Sequence, residues 1–243
     1  MSEIAGKPKK LHLIAIILLT AALLQSFYVS GGGGAAAARN PFDVERLKSL
    51  GYRIADKGCT LLIDLDRLTM VVFMDGRQYK TYPVSGGTPE SPSPAGAWKV
   101  VEIASWGEGF GGSWVGLNVP WGKYGIHGTV QPWVVGSYHA SHGCIRMHDA
   151  DALAVKKLVS YGTAVYIKHD NAPFRDMKNG MIGSDVQKTQ KLLKCLGYYT
   201  GGMDGVFGSG MERAVRAFQK SSGLEESGTV GRRMYELLCA LNE

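Results

Sequence analysis

Leu61-Leu62-Ile63-Asp64-Leu65, then Met70-Val71-Val72-Phe73-Met74, closed by Asp75-Gly76, set the class of the main domain. Both runs are short, rich in β-branched and apolar residues, and bounded by turn residues, which marks strands rather than helices. Asp75-Gly76 is a strong hairpin signal, so residues 77–84 return as a third strand. Downstream, Pro83, Gly86, Gly87, Pro89, Pro92, Pro94 and Gly96 mark a long loop. Residues 98–103 read as a further strand, and the glycine-rich residues 107–112 as a mobile loop at a functional site. Asp149 is placed to N-cap a helix that runs to about Tyr161 and ends at Gly162. Residues 163–167 form a closing strand. The 33 glycines among 243 residues are about twice the usual share of roughly 7%, which suits turn-rich β structure better than a helical bundle. Residues 55–169 are thus expected to form a mostly β domain with one main helix.

The flanks differ from this centre. Residues 181–243 carry three short helical patterns separated by glycine turns. Ser184-x-x-Gln187 and Ser209-x-x-Glu212 have the form of capping boxes. Met211, Ala214, Val215 and Phe218 share one helical face, and so do Met234, Leu237, Leu238 and Leu241. The expectation is a small all-α domain of three helices, reached through a linker at residues 170–180. Cys195 and Cys239 fall in its first and third helical segments, either bridged or as two half-buried thiols. At the other end, Lys7, Lys9 and Lys10 precede residues 11–29, an apolar run without Asp, Glu, Lys or Arg. That length suits a bilayer core of about 20 residues, with the lysines on the cytoplasmic side. Residues 1–30 are therefore expected to be a transmembrane anchor or a cleaved signal. The anchor is preferred, because Ala36-Ala37-Ala38, the small-residue cleavage candidate, lies far beyond the apolar run. Residues 31–54 would be a spacer, opened by the low-complexity Gly31–Ala38 stretch and ending in a short helix. The formal charge of +6 is modestly basic. An exported chain excludes nucleic acid as partner and leaves anionic lipid or an acidic wall polymer.

The chemistry concentrates in Tyr124-Gly125-Ile126-His127-Gly128-Thr129 and Ser141-His142-Gly143-Cys144-Ile145-Arg146-Met147. A thiol is nucleophilic as the thiolate, and an imidazole nearby can take its proton. His127 can reach Cys144 if Ile126-His127 and Ile145-Arg146 end adjacent strands. Gly143 permits a sharp bend before the nucleophile, and the amides of Gly143 and Cys144 could face an oxyanion. Arg146, two residues on, points to the same side of an extended strand and could pair with a substrate carboxylate. Two other uses compete. His127, His139, His142, Cys144 and His148 could bind zinc, although their spacing matches no familiar zinc pattern. Cys144 could be a half-cystine with Cys59.

His127-Gly-Thr followed by Ser141-His-Gly-Cys-Ile-Arg-Met resembles the signature of the L,D-transpeptidase (YkuD-type) catalytic domain. The likeness extends over residues 59–169, including Leu117-Asn118-Val119-Pro120-Trp121-Gly122. It departs at Ser93-Pro94-Ala95-Gly96, where the family usually has Thr-Pro-x-Gly. The resemblance implies a β-sandwich with a helix and a cysteine acyltransferase that forms 3→3 peptidoglycan cross-links with release of D-alanine. It implies Cys144 as nucleophile, His127 as base, the Gly128 carbonyl as orienter of that imidazole, and His142 as a second histidine shaping the oxyanion pocket. Ser141 stands at the family's Ser/Thr position and Arg146 near the donor stem. No metal or organic cofactor is implied, and carbapenem-type β-lactams would acylate Cys144. Release of the same acyl-enzyme by water, giving an L,D-carboxypeptidase, remains open, as do an inactive wall-binding protein and a zinc amidase. In residues 181–243, Leu196-Gly197-Tyr198, Asp204-Gly205-x-Phe207-Gly208 and Ala214-Val215-x₂-Phe218-Gln219 resemble a type 1 peptidoglycan-binding domain, with Met211 where Thr is common. The expected setting is the cell envelope, at the outer face of the membrane or in the wall.

Overall fold

A computed structural model describes residues 42–242. The expected anchor at 1–30 and the low-complexity spacer lie outside the described residues. No helix within the described residues is long and apolar enough to cross a membrane.

The chain enters through α1 (Val44–Ser49), whose start is capped by the Asp43 carboxylate accepting from the Arg46 amide at 2.9 Å. Its Leu47 packs with Ile54 on Leu62, Val71 and Phe73. Those three belong to β1 (Cys59–Asp64) and β2 (Thr69–Met74), whose other face holds Leu61, Ile63, Met70 and Val72 in the main core. Both faces of this pair are therefore buried. That is why the sequence here reads as near-continuous apolar runs rather than an alternation. Asp75 and Gly76, both at positive φ, turn the chain into β3 (Arg77–Pro83).

β4 (Gly96–Ala104), β5 (Trp114–Leu117), β6 (Tyr124–His127), β7 (Ile145–Arg146) and β8 (Ala164–Lys168) complete an eight-stranded sheet. Its order is β3-β2-β1-β8-β4-β5-β6-β7. The β1–β8 and β6–β7 pairs are parallel and the rest antiparallel. The expected sandwich is thus one curled mixed sheet. β4 supplies the reason: residues 96–99 pair with β8, residues 100–104 with β5, and the register shifts between Val100 and Glu102. One strand serves both halves, and the sheet bends around it. Ser85, just past β3, also exchanges backbone hydrogen bonds of 2.8 and 2.9 Å with Arg146 of β7, so the far edges nearly meet. The enclosed core is closed by Ala152 and Val155 of α2 (Asp149–Leu158). His148, not Asp149, is the N-cap residue of α2, and the helix stops at Leu158 rather than near Tyr161. Asp149 is the first helical residue, and its carboxylate serves the loop at Thr129 instead.

Helices α3 (Ser184–Cys195), α4 (Ser209–Ser221) and α5 (Arg232–Ala240) share a second core built on Val186, Leu193, Met211, Val215, Phe218 and Leu238. Leu241, expected on the inner face of α5, is half exposed just beyond its end. Neither capping box forms. Ser184 and Ser209 are first helical residues behind Gly183 and Gly208, with no side-chain cap at either end. Glu212 meets Arg216 and Asn179 instead. Buried glutamines hold the turns. Gln190 accepts from the Gly205 amide at 2.9 Å and donates to the Val206 carbonyl, while Gln219 does the same with Gly228 and Thr229. Gly205 and Gly228 both sit at positive φ, near 75°, so each clamp closes on a backbone that favours glycine. All four cysteines, including Cys195 and Cys239, are free thiols, so neither suggested disulfide forms.

The stretch expected as a linker is built into the helical core and hydrogen-bonded to the β domain. Met177 is fully buried in the helical core and pairs with Val230. Arg175 binds Asp185 at 2.7 and 3.0 Å, the Ile182 carbonyl at 2.5 Å and, across to the β domain, the Glu90 carbonyl at 3.4 Å. A Cβ on Gly205 would meet the Trp121 ring at 2.2 Å, so the helical domain rests on the β domain at close range. Gly205→Ala is expected to destabilise the chain by about 1–3 kcal/mol, through a non-glycine residue at positive φ and a lost seat on Trp121. Urea unfolding of the full chain measures it, and an unchanged midpoint would contradict the contact.

Candidate active site

The β6–β7 ladder sets the geometry. Ile126 pairs with Ile145 and His127 with Arg146. Both isoleucines are 1% exposed and point into the core. Side chains alternate along a strand, so His127, Arg146 and Cys144 emerge together on the opposite face. Cys144 precedes β7 and falls beside Gly125, diagonal to His127, roughly 8 Å away between Cα atoms at standard strand spacings. Gly125 itself must be small: a Cβ there would meet the Trp114 ring at 2.7 Å.

His127 is buried, and its Nδ1 lies 2.5 Å from the Gly128 carbonyl oxygen. A carbonyl only accepts, so Nδ1 carries the proton, and in the neutral ring Nε2 keeps its lone pair. Burial holds this imidazole below its ordinary value near 6.5, helped by the Arg146 charge and opposed by the Gly128 bond. Phe110 stands edge-on to the ring at 4.8 Å and Trp114 lies nearly parallel to it at 5.8 Å, which supplies the apolar wall. Burial likewise pushes the Cys144 thiol up, partly offset by a Gly125 backbone hydrogen bond and by Arg146. Both groups therefore rest neutral near pH 7. Cys59, with burial alone, is pushed up to about 11 and is inert by comparison.

The loop before Cys144 is strapped in place. The Ser141 hydroxyl donates to the Cys144 carbonyl at 2.6 Å and accepts from the Gly143 amide at 3.0 Å. Ser141, 2% exposed, is thereby spent inside the loop and does not face a ligand. The Gly143 amide is likewise occupied, which leaves the Cys144 amide as the donor beside the thiol. Gly143 has φ 113°, and a Cβ there would lie 2.5 Å from the Tyr124 ring. His142 projects exposed from the same loop, and Arg146 donates to Gln131 at 2.9 Å. His139 turns away from this group, accepting from the Gly86 amide and lying 4.9 Å from His169. No group of three or more His, Cys, Asp or Glu side chains gathers into a metal-binding cluster among the described residues.

Several contributors carried no signal in the sequence. Trp106 stacks on Trp114 at 3.9 Å and Phe110 covers His127, so the glycine-rich loop at 107–112 is anchored by aromatic contacts. The Phe110 carbonyl accepts from the Gly128 amide at 3.0 Å, and Asp149 accepts from Thr129 at 2.9 Å. A Cβ on Gly128 would strike Asp149 at 2.3 Å, so the glycine after His127 is required by packing. Tyr124 closes the other side over Gly143.

The L,D-transpeptidase catalytic domain family (YkuD) matches residues 60–167, and the family described as "Putative peptidoglycan binding domain" matches residues 182–238. Two proteins named "Putative L,D-transpeptidase YkuD" are similar. The Bacillus licheniformis protein is 35% identical over 120 residues, covering 49% of this chain and 67% of its own length. The Bacillus subtilis protein is 32% identical over 108 residues, covering 44% of this chain and 64% of its own. A "Spore cortex-lytic enzyme" of Bacillus cereus is 42% identical over 62 residues, which are 26% of this chain and 24% of that protein. The chain thus spans about two thirds of the first two relatives and a quarter of the third.

If His127 acts as a base, the acid limb of a pH–rate profile should fall below 6.5, because the ring must be neutral to accept a proton. Phe110→Ala admits water to the imidazole. It should move that limb up toward 6.5 and lower the rate at pH 5.5 by roughly three- to tenfold, with little change at pH 8. A limb that stays put would show that Phe110 does not set the His127 environment.

Proposed function

We propose that this chain, which belongs to the YkuD family of L,D-transpeptidases, is a peptidoglycan L,D-transpeptidase that forms 3→3 cross-links through a thioester on Cys144. The observation that carries this is the His127 Nδ1–Gly128 carbonyl bond, which leaves Nε2 unprotonated on the face of the sheet that also bears Cys144.

In the proposed sequence, the Cys144 thiol attacks the carbonyl of the third residue of a tetrapeptide stem while His127 Nε2 takes its proton. Two neutral buried partners favour this concerted transfer over a standing thiolate–imidazolium pair, which burial would penalise. The tetrahedral oxyanion would face the Cys144 amide, with exposed His142 shaping the pocket around it. Collapse returns the proton from His127 to the departing D-alanine amine and leaves the thioester. An amine on a neighbouring stem then attacks it, passes its proton to His127 and frees the thiol. Arg146, partly exposed on the same face, would pair with a stem carboxylate. Ser141 and Gly143 would hold the loop's shape, and the Gly128 carbonyl the imidazole. No step needs a metal or organic cofactor.

The helical domain would hold the enzyme on its polymer, and residues 1–30 would place it at the outer face of the membrane or release it into the wall. Carbapenem-type β-lactams would acylate Cys144 by the same attack.

The test is incubation of the full chain with disaccharide-tetrapeptide, followed by mass spectrometry, beside Cys144→Ala. The expected product is a cross-linked dimer with loss of D-alanine, abolished in the variant. Tripeptide alone would make the chain an L,D-carboxypeptidase. Absence of any Cys144-dependent product would leave an inactive wall-binding protein.

A further inference from the structure

A cavity of about 860 Å³ opens where the helical domain meets the β domain. Its size is in the range of sites that bind small ligands. Pro89, Pro92 and Ser93 of the loop before β4 line one wall, α3 and α5 the other. The floor is the connecting stretch at Phe174 and Arg175.

The charges of this cavity are not balanced. Asp185 is paired with Arg175 at 2.7 Å, and Asp170 with Lys168 at 2.8 Å, a lysine it shares with Asp64 and Asp66; the lining still carries four cations, Arg175 among them, against three carboxylates. Lys188, Lys191 and Arg232 also line it, and none of the three has an acidic partner among the described residues; Glu236 is the one remaining wall carboxylate. Two of these cations lie over aromatic faces, Lys188 over Tyr235 at 5.5 Å and Arg232 over Phe174 at 4.9 Å. The wall is thereby both apolar and cationic. Ser184, also in the lining, has a buried hydroxyl with no hydrogen-bond partner among the described residues. An extended ligand with carboxylates and an apolar stretch fits these features; a lone small anion would leave most of the volume unfilled.

The cavity also adjoins the catalytic loop. Pro92 lines it, and the Pro92 carbonyl stands 3.2 Å from where a Cβ on Gly143 would be, one residue from Cys144. A ligand in the cavity would lie across a single loop from the thiol.

We propose that this interdomain cavity binds a second, carboxylate-bearing stem peptide of the same wall polymer, held by Lys188, Lys191 and Arg232 against Phe174 and Tyr235, while another stem reacts at Cys144. The site rests on the transpeptidase reading for its ligand. It adds that the helical domain binds next to the reaction instead of merely tethering the enzyme at a distance.

The experiment uses the full chain carrying Cys144→Ala, so that binding is read without turnover. Isothermal titration with soluble disaccharide-tetrapeptide dimer is the probe. Adding Lys188→Glu and Lys191→Glu should raise Kd at least tenfold, and Arg232→Gln alone should raise it severalfold. Lys220→Glu, on α4 and outside the cavity, should leave it unchanged. Equal affinity in the charge-reversed chain, equal weakening by Lys220→Glu, or no binding of the dimer at all would overturn the site. So would displacement of the dimer by inorganic phosphate at millimolar concentration, which would mark a general anion patch. D-alanine release by the chain with Cys144 intact is measured in parallel. Release with no effect of the cavity variants on binding sinks this site and keeps the transpeptidase. Lost binding in the variants with no Cys144-dependent release keeps the site and sinks the transpeptidase.

Discussion

The parallel pairing of β6 with β7 is the constraint on which the site depends. Two residue pairs make up that ladder, and only the inward pair is apolar. Ile126 and Ile145 lock the register from inside the core. A slip of β7 by one residue against β6, which β5 holds in place, would put Arg146 in the interior and Ile145 in the cleft. So short a parallel pair has little strength of its own, and its neighbours supply the rest. Ser85 adds two hydrogen bonds from the far edge of the sheet, and Met147 donates to the His127 carbonyl at 2.9 Å. The curl of the sheet, set by β4, is what brings that far edge within reach. The orientation of one thiol and one imidazole thus traces back to a register shift at Val100.

The site holds the proposed nucleophile and base neutral by withholding water. Phe110 and Trp114 remove solvent from His127, and burial does the same to Cys144. A standing ion pair in such surroundings is only partly compensated: the Gly128 bond favours the imidazolium and the Gly125 bond and Arg146 favour the thiolate, but burial outweighs them at both groups. The hydrogen bond to Gly128 fixes the tautomer without adding a charge. For the proposed role of His127 as base, a low thiolate population is offset by a ring whose Nε2 lone pair is free and whose protonation burial suppresses.

Local signals were legible in the sequence and relational ones were not. Asp75-Gly76 gave its hairpin because the turn is determined by two residues. The double run of β1 and β2 was readable as strands, yet nothing in it said that α1 would cover one side. The His127 and Cys144 motifs pointed to each other only on the supposition of adjacent strands, which the ladder supplies. Ser141 stood at a family position without a visible partner, because a hydroxyl looks the same in sequence whether it faces a ligand or its own loop; its bonds to Cys144 and Gly143 show the latter. Asp149 looked like a cap because a carboxylate before an apolar run usually is one; here Thr129 offers it a stronger use. The serines of α3 and α4 failed as caps because the glycines before them took the capping geometry. The aromatic wall of His127 was invisible, since it depends on the β5–β6 register that sets Trp114 opposite His127 and on the turn that folds Phe110 over the ring.

The two domains are coupled through the same small set of residues that shape the site. Trp121 packs on Trp98 in the β core and on Gly205 of the helical domain, and it contacts Tyr124, which covers Gly143. Arg175 ties the start of α3 to the loop that carries Pro92. A flexible tether would let the helical domain sample many orientations and would raise local substrate concentration only in a general way. A docked domain gives up that range. In exchange, a polymer strand bound there as proposed would have a fixed direction relative to Cys144. Met177 enforces the docking, because the connecting stretch cannot be extended without withdrawing a fully buried side chain from the helical core. The connection therefore acts as a structural element, and the geometry between the helical domain and the Cys144 loop is set by the fold itself.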